Sequence, residues 1–207
     1  MESKGFDDPN FSKDMAWITL TKKGDRAAFN HIIDKYQRAV YNLCYHMLRN
    51  VLEAEDATQE VFLRAYHKLD SYDERRKFST WLLAIASHYC LDQLKRPYRN
   101  SVSLDDYLSE CYFFGNPAAQ PEAVLLNKEA ITEVRHLLKI LPPHYRVVVI
   151  LKYWQALSYQ EIAQILNTTV SAIKSKLFKA RRKMAQAVKQ QNDQSLVSVG
   201  LLPEASY

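Results

Sequence analysis

The chain has 207 residues, 47% hydrophobic and 25% charged, a balance ordinary for a globular protein of one large or two small domains. Its 4 glycines argue against Gly-rich phosphate loops and many-turned β folds, and neither a membrane-spanning apolar run nor a signal peptide is present, so the expectation is a cytoplasmic protein without membrane insertion. The net charge of +5 is uneven: residues 1–98 carry +1, residues 99–125 carry −3 and residues 126–191 carry +9, which points to a polyanion-binding surface in the last third.

In chain order, the polar residues 1–21 read as a tail. Residues 25–49 follow as an amphipathic helix, with Phe29, Ile32, Ile33, Tyr36, Val40, Leu43, Cys44 and Met47 at three- and four-residue spacing and Gly24–Asp25 as its start signal. A second helix is predicted over 53–69, with Ala57, Val61, Phe62, Ala65 and Leu69 inward. A third is predicted over 79–95, with Trp81, Leu82, Ile85, Ala86, Tyr89 and Leu94, stopped by Pro97. Between them lies the basic, aromatic-flanked loop DSYDERRKF. Residues 99–125 lack a sustained period and read as a flexible linker, with a short helix near 104–108. Helical patterning resumes over 122–141, breaks at Pro142 and Pro143, and returns over 145–154. The fold expected is all-α, two small helical domains over 22–98 and 126–189 joined by that linker, with a second tail over 190–207. Cys44, Cys90 and Cys111 are far apart in sequence, and the histidines are scattered, so no metal or cofactor is expected.

The strongest motif is SYQEIAQILNTTVSAIKSKLFKARRKM, residues 158–184, which has the pattern of a helix-turn-helix. Ser158 and Glu161 make a capping box, Ala163 is small enough for a second helix to approach, and Asn167 tolerates the left-handed turn. Thr169 suits the N-cap of the second helix. Ile173, Leu177, Ala180 and Met184 fall on its inner side. The outer side carries Ser171, Lys174, Ser175, Phe178, Lys179 and Arg182, and residues 170–189 hold seven cations and no anion. Cations meeting phosphates beside short polar or aromatic side chains meeting base edges is the composition a major groove selects.

Four stretches together resemble regions two and four of the extracytoplasmic-function (ECF) group of bacterial sigma factors: GDRAAFNHIIDKYQRAVYNLCYHML, EAEDATQEVFLRAYHKL, FSTWLLAIASHYCLDQLKR, and LPPHYRVVVILKYWQALSYQEIAQIL with its recognition helix. The resemblance implies a non-enzymatic initiation factor that binds core RNA polymerase through its clamp and flap regions, reads promoter DNA, and is held by an anti-sigma factor. It implies core-polymerase contacts at Asp56, Gln59, Glu60 and Arg64. It places minus-ten DNA contacts at Tyr72, Arg75, Arg76, Lys77, Lys95 and Arg96, with Phe78 and Trp81 suiting either base stacking or core anchoring. The minus-thirty-five contacts fall on Ser171, Lys174, Ser175, Phe178, Lys179 and Arg182. Ala172 and Lys176 depart from the threonine and arginine usual there, which bears on the promoter sequence read. Two other readings are a dimeric helix-turn-helix regulator and a metal-carboxylate enzyme acting on nucleic acid through Glu53, Glu55, Asp56 and Glu60.

Overall fold

The computed structural model describes residues 9–95, 134 and 136–198. The linker over 99–125, its short helix, most of the 122–141 helix, Arg96 and Cys111 lie outside the described residues.

The first helical set comprises α1 (Pro9–Lys22), α2 (Arg26–Leu48), α3 (Val51–His67), a 3₁₀ turn at Leu69–Ser71 and α4 (Phe78–Lys95). Helix α1 replaces much of the expected N-terminal tail. Its apolar residues Met15, Trp17, Ile18 and Leu20 are clustered and do not repeat along one stripe, so periodicity does not reveal it. Docking on α2 stabilises it: Ile18 is fully buried, and buried Asp14 accepts hydrogen bonds from Lys35 Nζ and Tyr36 Oη, each at 2.6 Å. Gly24, at φ +97°, turns the chain in the left-handed region open to glycine. Asp25 then caps α2, its Oδ1 accepting from the amides of Ala27 and Ala28. Asn50 caps α3 in the same way through the Glu53 amide at 3.0 Å. The alanines Ala54, Ala57 and Ala65 of α3 are buried and let it approach α2 closely, while Leu82, Ala86 and Cys90 of α4 complete the core.

The second set comprises α5 (Pro143–Tyr153), α6 (Tyr159–Ile165) and α7 (Val170–Ser198). Helix α5 starts two residues earlier than the 145–154 expected from sequence. Pro143 ends the preceding pattern but also opens α5 as one of its first residues, where a missing amide costs nothing. Helix α7 runs past residue 190, where a tail was expected.

The two sets pack directly on each other and share one buried cluster. Arg146, buried on α5, is central. Its guanidinium donates to the carbonyls of Leu138, Lys139 and Leu141 in its own set and, from Nη1 at 2.8 Å, to Met47 O at the end of α2. Met47 O is one of the last carbonyls of α2, which have no partner within the helix. Burial, with the charge of Arg49, pushes the Arg146 pKa down to about 10, so it is charged at neutral pH. Gln155 Nε2 donates to Ala39 O at 2.9 Å, and the His46 and Trp154 rings lie 4.8 Å apart.

Candidate nucleic-acid interface

The helix-turn-helix is built as its sequence predicts. Ser158 Oγ accepts from the Glu161 amide, and Glu161 Oε2 accepts from the Ser158 amide at 2.9 Å, closing the capping box at the start of α6. Burial pushes the Glu161 carboxyl up. Hydrogen bonds from Ser158 and Lys77, with the Lys77 charge, outweigh that and hold it below the ordinary range. Ile162, Ala163 and Ile165 are buried. Asn167 takes φ +47°, which frees Thr168 N to donate to Ala163 O at 2.9 Å. Thr169 Oγ1 then accepts from Ala172 N at 3.2 Å and caps α7.

Helix α7 has two faces. Ile173, Leu177 and Ala180 are buried, and Met184 packs at the edge of the core. Ser171, Lys174, Ser175, Phe178, Lys179 and Arg182 are all exposed, so the six positions predicted to meet the upstream element share one open surface. Phe178 is 67% exposed and is the one aromatic among these six residues. Sequence reading missed what braces this surface. Arg181 Nε donates to Tyr153 Oη at 2.8 Å, Lys152 Nζ sits 4.9 Å from the Tyr159 ring, and Lys174 Nζ sits 6.0 Å from the same ring. The hydrogen bond to Tyr153 raises the Arg181 pKa further.

In the loop before α4, Arg75, Arg76 and Lys77 are exposed as expected. The aromatics are not. Tyr72 is 4% exposed and Phe78 2%, and with half-buried Trp81 their rings form one cluster at 5.3–5.5 Å spacing. The Tyr72 hydroxyl donates to Arg76 O and ties the loop across itself. Burial, with the charges of Asp14, Glu74 and Asp73, pushes the Tyr72 pKa up to about 12. Tyr72, expected among the minus-ten contacts, is thus buried in this conformation and anchors the loop, its ring packed against Phe78 and Trp81. Helix α1 braces the loop from outside through Lys22 Nζ–Glu74 Oε1 at 3.0 Å. Lys77 Nζ reaches the helix-turn-helix itself, 3.0 Å from Glu161 Oε1. Lys95, farther along, is exposed and pairs with Asp92 at 2.9 Å.

On α3, Asp56 and Gln59 are exposed, and Arg64 Nε bonds Glu60 Oε1 at 2.7 Å while its guanidinium lies 4.7 Å from the Tyr89 ring. Leu52, 70% exposed, and Leu63, 53% exposed, were not singled out from sequence. Positions 52, 56, 59 and 63 follow 4-3-4 spacing, so all four residues line one open stripe. The available signal was that both leucines fall off the buried stripe of Ala54, Ala57, Val61 and Ala65. Beside the stripe runs a shallow groove whose lining includes Phe29, Ile33, Gln37, Gln59, Phe62 and Leu63.

Fold and surface thus define a two-part helical protein with a helix-turn-helix of the DNA-binding type and a separate exposed stripe of mixed apolar and polar residues. Two family models match the chain: Sigma-70 region 2 over residues 32–100, and Sigma-70, region 4 over residues 131–184. The ECF RNA polymerase sigma factor SigW of Bacillus subtilis is 36% identical over 183 residues, covering 83% of this chain and 95% of SigW. The ECF RNA polymerase sigma-E factor of Escherichia coli is 31% identical over 175 residues, covering 81% of this chain and 90% of that protein. The solved structure of CnrH in complex with the cytosolic domain of CnrY shares the fold at a TM-score of 0.63 and 20% identity, over 86% of this chain and 98% of that one. RpoE of Bartonella quintana, solved with the anti-sigma factor NepR, shares it at 0.59 and 19%, over 78% and 96%. The chain belongs to the ECF group of the sigma-70 family, the RNA polymerase sigma factors. Its function is that of a sigma factor, which directs transcription initiation at promoters.

Proposed function

We propose that this sigma factor divides its work among the three surfaces described. Asp56, Gln59, Glu60 and Arg64, with Leu52 and Leu63, dock on core RNA polymerase. Arg75, Arg76 and Lys77 meet the minus-ten element, with Lys95 and Arg96 extending the basic track. Ser171, Lys174, Ser175, Phe178, Lys179 and Arg182 read the minus-thirty-five element. The observation that carries the reading is the recognition helix, whose polar and aromatic face is open while Ile173, Leu177 and Ala180 on the opposite face are buried. An exposed stripe in which Leu52 and Leu63 stand at either end of Asp56 and Gln59 supports the polymerase assignment, since an interface needs both apolar area and hydrogen-bonding groups. The protein carries no catalysis of its own and acts in the cytoplasm, on the enzyme it guides. CnrH was solved with the cytosolic domain of CnrY and RpoE with the anti-sigma factor NepR, and an anti-sigma factor covering the polymerase-binding and DNA-binding faces is the corresponding partner here.

The test is reconstitution. Purified chain should co-elute with core polymerase and support run-off transcription from a cognate promoter. Asp56→Arg or Gln59→Ala should weaken co-elution without lowering thermal stability, because both side chains are exposed. Absence of co-elution by the wild-type chain sinks the assignment.

A further inference from the structure

The loop assigned to the minus-ten element is held from outside by α1, a helix that carries none of the DNA or polymerase contacts assigned above. Helix α1 lies on α2 along one stripe. Asp14, Ile18 and Thr21 are buried at four- and three-residue spacing, Asp14 is bonded by Lys35 and Tyr36, and the Trp17 ring stacks on His31 at 5.4 Å. These contacts fix both the position and the rotation of the helix. Its last residue then reaches beyond α2: Lys22 Nζ sits 3.0 Å from Glu74 Oε1. Helix α1 also packs on the 3₁₀ turn that leads into the loop.

Glu74 sits inside a turn that is tied to itself. The Arg76 amide donates to Asp73 O at 3.0 Å, and the Arg75 amide donates to Asp73 Oδ1 at 3.1 Å. The Tyr72 hydroxyl closes the far side on Arg76 O. Residues 73–76 therefore move as a unit, and a hold on Glu74 is a hold on Arg75 and Arg76. The Tyr72 ring, packed with Phe78 and Trp81, gives this unit one anchor. Lys22 gives it a second. The pair also settles the charge of the loop. Asp73 lies 3.7 Å from Arg76 Nε and Glu74 is taken by Lys22, while among the described residues Arg75 has no carboxylate within ion-pair range. A released Glu74 carboxylate would stand one residue from Arg75 and compete with DNA phosphate for it. Lys22 and Glu74 both belong to the first helical set, so this hold does not depend on the second set, unlike the pairing of Lys77 with Glu161.

Resting on the minus-ten assignment above, we infer that Lys22 is a positioning residue for promoter opening: from the end of α1 it holds Glu74, and through Glu74 it sets the turn that presents Arg75 and Arg76 to the minus-ten element. Lys22 acts through this contact and not by touching DNA. Helix α1 is the strut that makes the contact possible, since its buried stripe fixes where Lys22 emerges.

Charge reversal at each end tests the strut in the full chain with core polymerase. Lys22→Glu, Glu74→Lys and the double variant are compared in the rate at which thymines become permanganate-reactive on a promoter fragment that the wild-type holoenzyme opens, in binding of the upstream-element duplex, and in thermal unfolding. Each single variant should open the promoter about three- to tenfold more slowly, the scale of a partly exposed ion pair turned into a repulsion. Upstream-duplex binding and the unfolding temperature should match the wild type. Glu74→Lys separates positioning from simple attraction, because it adds a cation to a DNA-facing loop and is nonetheless expected to lose opening. With the pair restored in reverse, the double variant should return to within about twofold of the wild-type rate. Unchanged opening in Lys22→Glu, faster opening in Glu74→Lys, or no recovery in the double variant would each overturn the inference. The variant with Arg75, Arg76 and Lys77 replaced by alanine is the reference. If it opens the promoter as the wild type does, the minus-ten assignment fails and the strut falls with it; if it is slow while Lys22→Glu is not, the role of Lys22 alone is refuted.

Discussion

Leu177 and Phe178 are neighbours in sequence and opposites in structure, and a paired truncation exploits that. Leu177 is 2% exposed, packed inside the helix-turn-helix core, whereas Phe178 is 67% exposed. Leu177→Ala removes a buried isobutyl group and leaves a cavity, at a cost of about 2–5 kcal/mol. A small helical unit with a total stability of order 5–15 kcal/mol loses a large part of it. Phe178→Ala removes a ring already mostly in water, so the expected stability change is within about 0.5 kcal/mol. Its effect falls on DNA. A base-edge contact discriminates by roughly 1–3 kcal/mol, about 5- to 150-fold in affinity, and does so at one position of the site. The measurements are urea melts of both variants, and fluorescence-anisotropy titrations against a panel of upstream-element duplexes, each substituted at one base pair. Leu177→Ala should melt early yet, where folded, keep the wild-type ranking of sequences. Phe178→Ala should melt with the wild type and flatten the ranking at one position. A uniform loss across the panel for Phe178→Ala, or a melt shifted like that of Leu177→Ala, would mean that the wrong face of α7 has been assigned to the groove.

Three further outcomes follow from the same geometry. Arg182→Ala removes an exposed cation from the rim of the recognition face, so binding should weaken alike on all sequences and the slope of log affinity against log salt should fall by about one, read by titration at several salt concentrations. Replacing Arg75, Arg76 and Lys77 together by alanine should reduce promoter melting, read by permanganate reactivity, more than it reduces upstream-duplex binding; unchanged melting removes the loop from the minus-ten assignment. The Tyr72 pKa is raised from its ordinary value of 10.0 to about 12, so the folded state holds that proton more tightly than the unfolded state. The resulting stabilisation is complete below pH 10 and is lost as pH rises from there toward 12, up to about 3 kcal/mol at ~1.4 kcal/mol per unit. Absorbance at 295 nm should show late-titrating tyrosine, to which Tyr41, also raised by burial, contributes, and Tyr72→Phe should remove one tyrosine's share of it; an unchanged late amplitude in that variant would remove the assignment.

Much of this protein was legible in one dimension because its decisive features are local. The capping box of Ser158 and Glu161, the left-handed Asn167 and the Thr169 cap each involve residues within a few positions of one another. The two faces of α7 follow from helical period alone, and so does the inward stripe of α2. Asp56 and Gln59 were singled out and are exposed, but the leucines that share their stripe were not singled out, since whether an off-stripe leucine is covered depends on what packs beside it. Helix α1 was missed for a related reason: it has little periodic signal and exists by burying Ile18 and Asp14 against α2. Tyr72 shows the limit most clearly. A tyrosine in a basic loop has the composition of a base-stacking platform, and only the approach of Phe78 and Trp81 across the fold turns it into an anchor. Arg146 likewise reads as one more cation on a basic segment, yet the tertiary structure spends its charge on backbone carbonyls from both helical sets. Short-range hydrogen bonds and helical period thus determined most of the elements and the two faces of α7. Long-range burial decided which side chains stay available for function, because exposure is a property of the neighbours a residue acquires on folding.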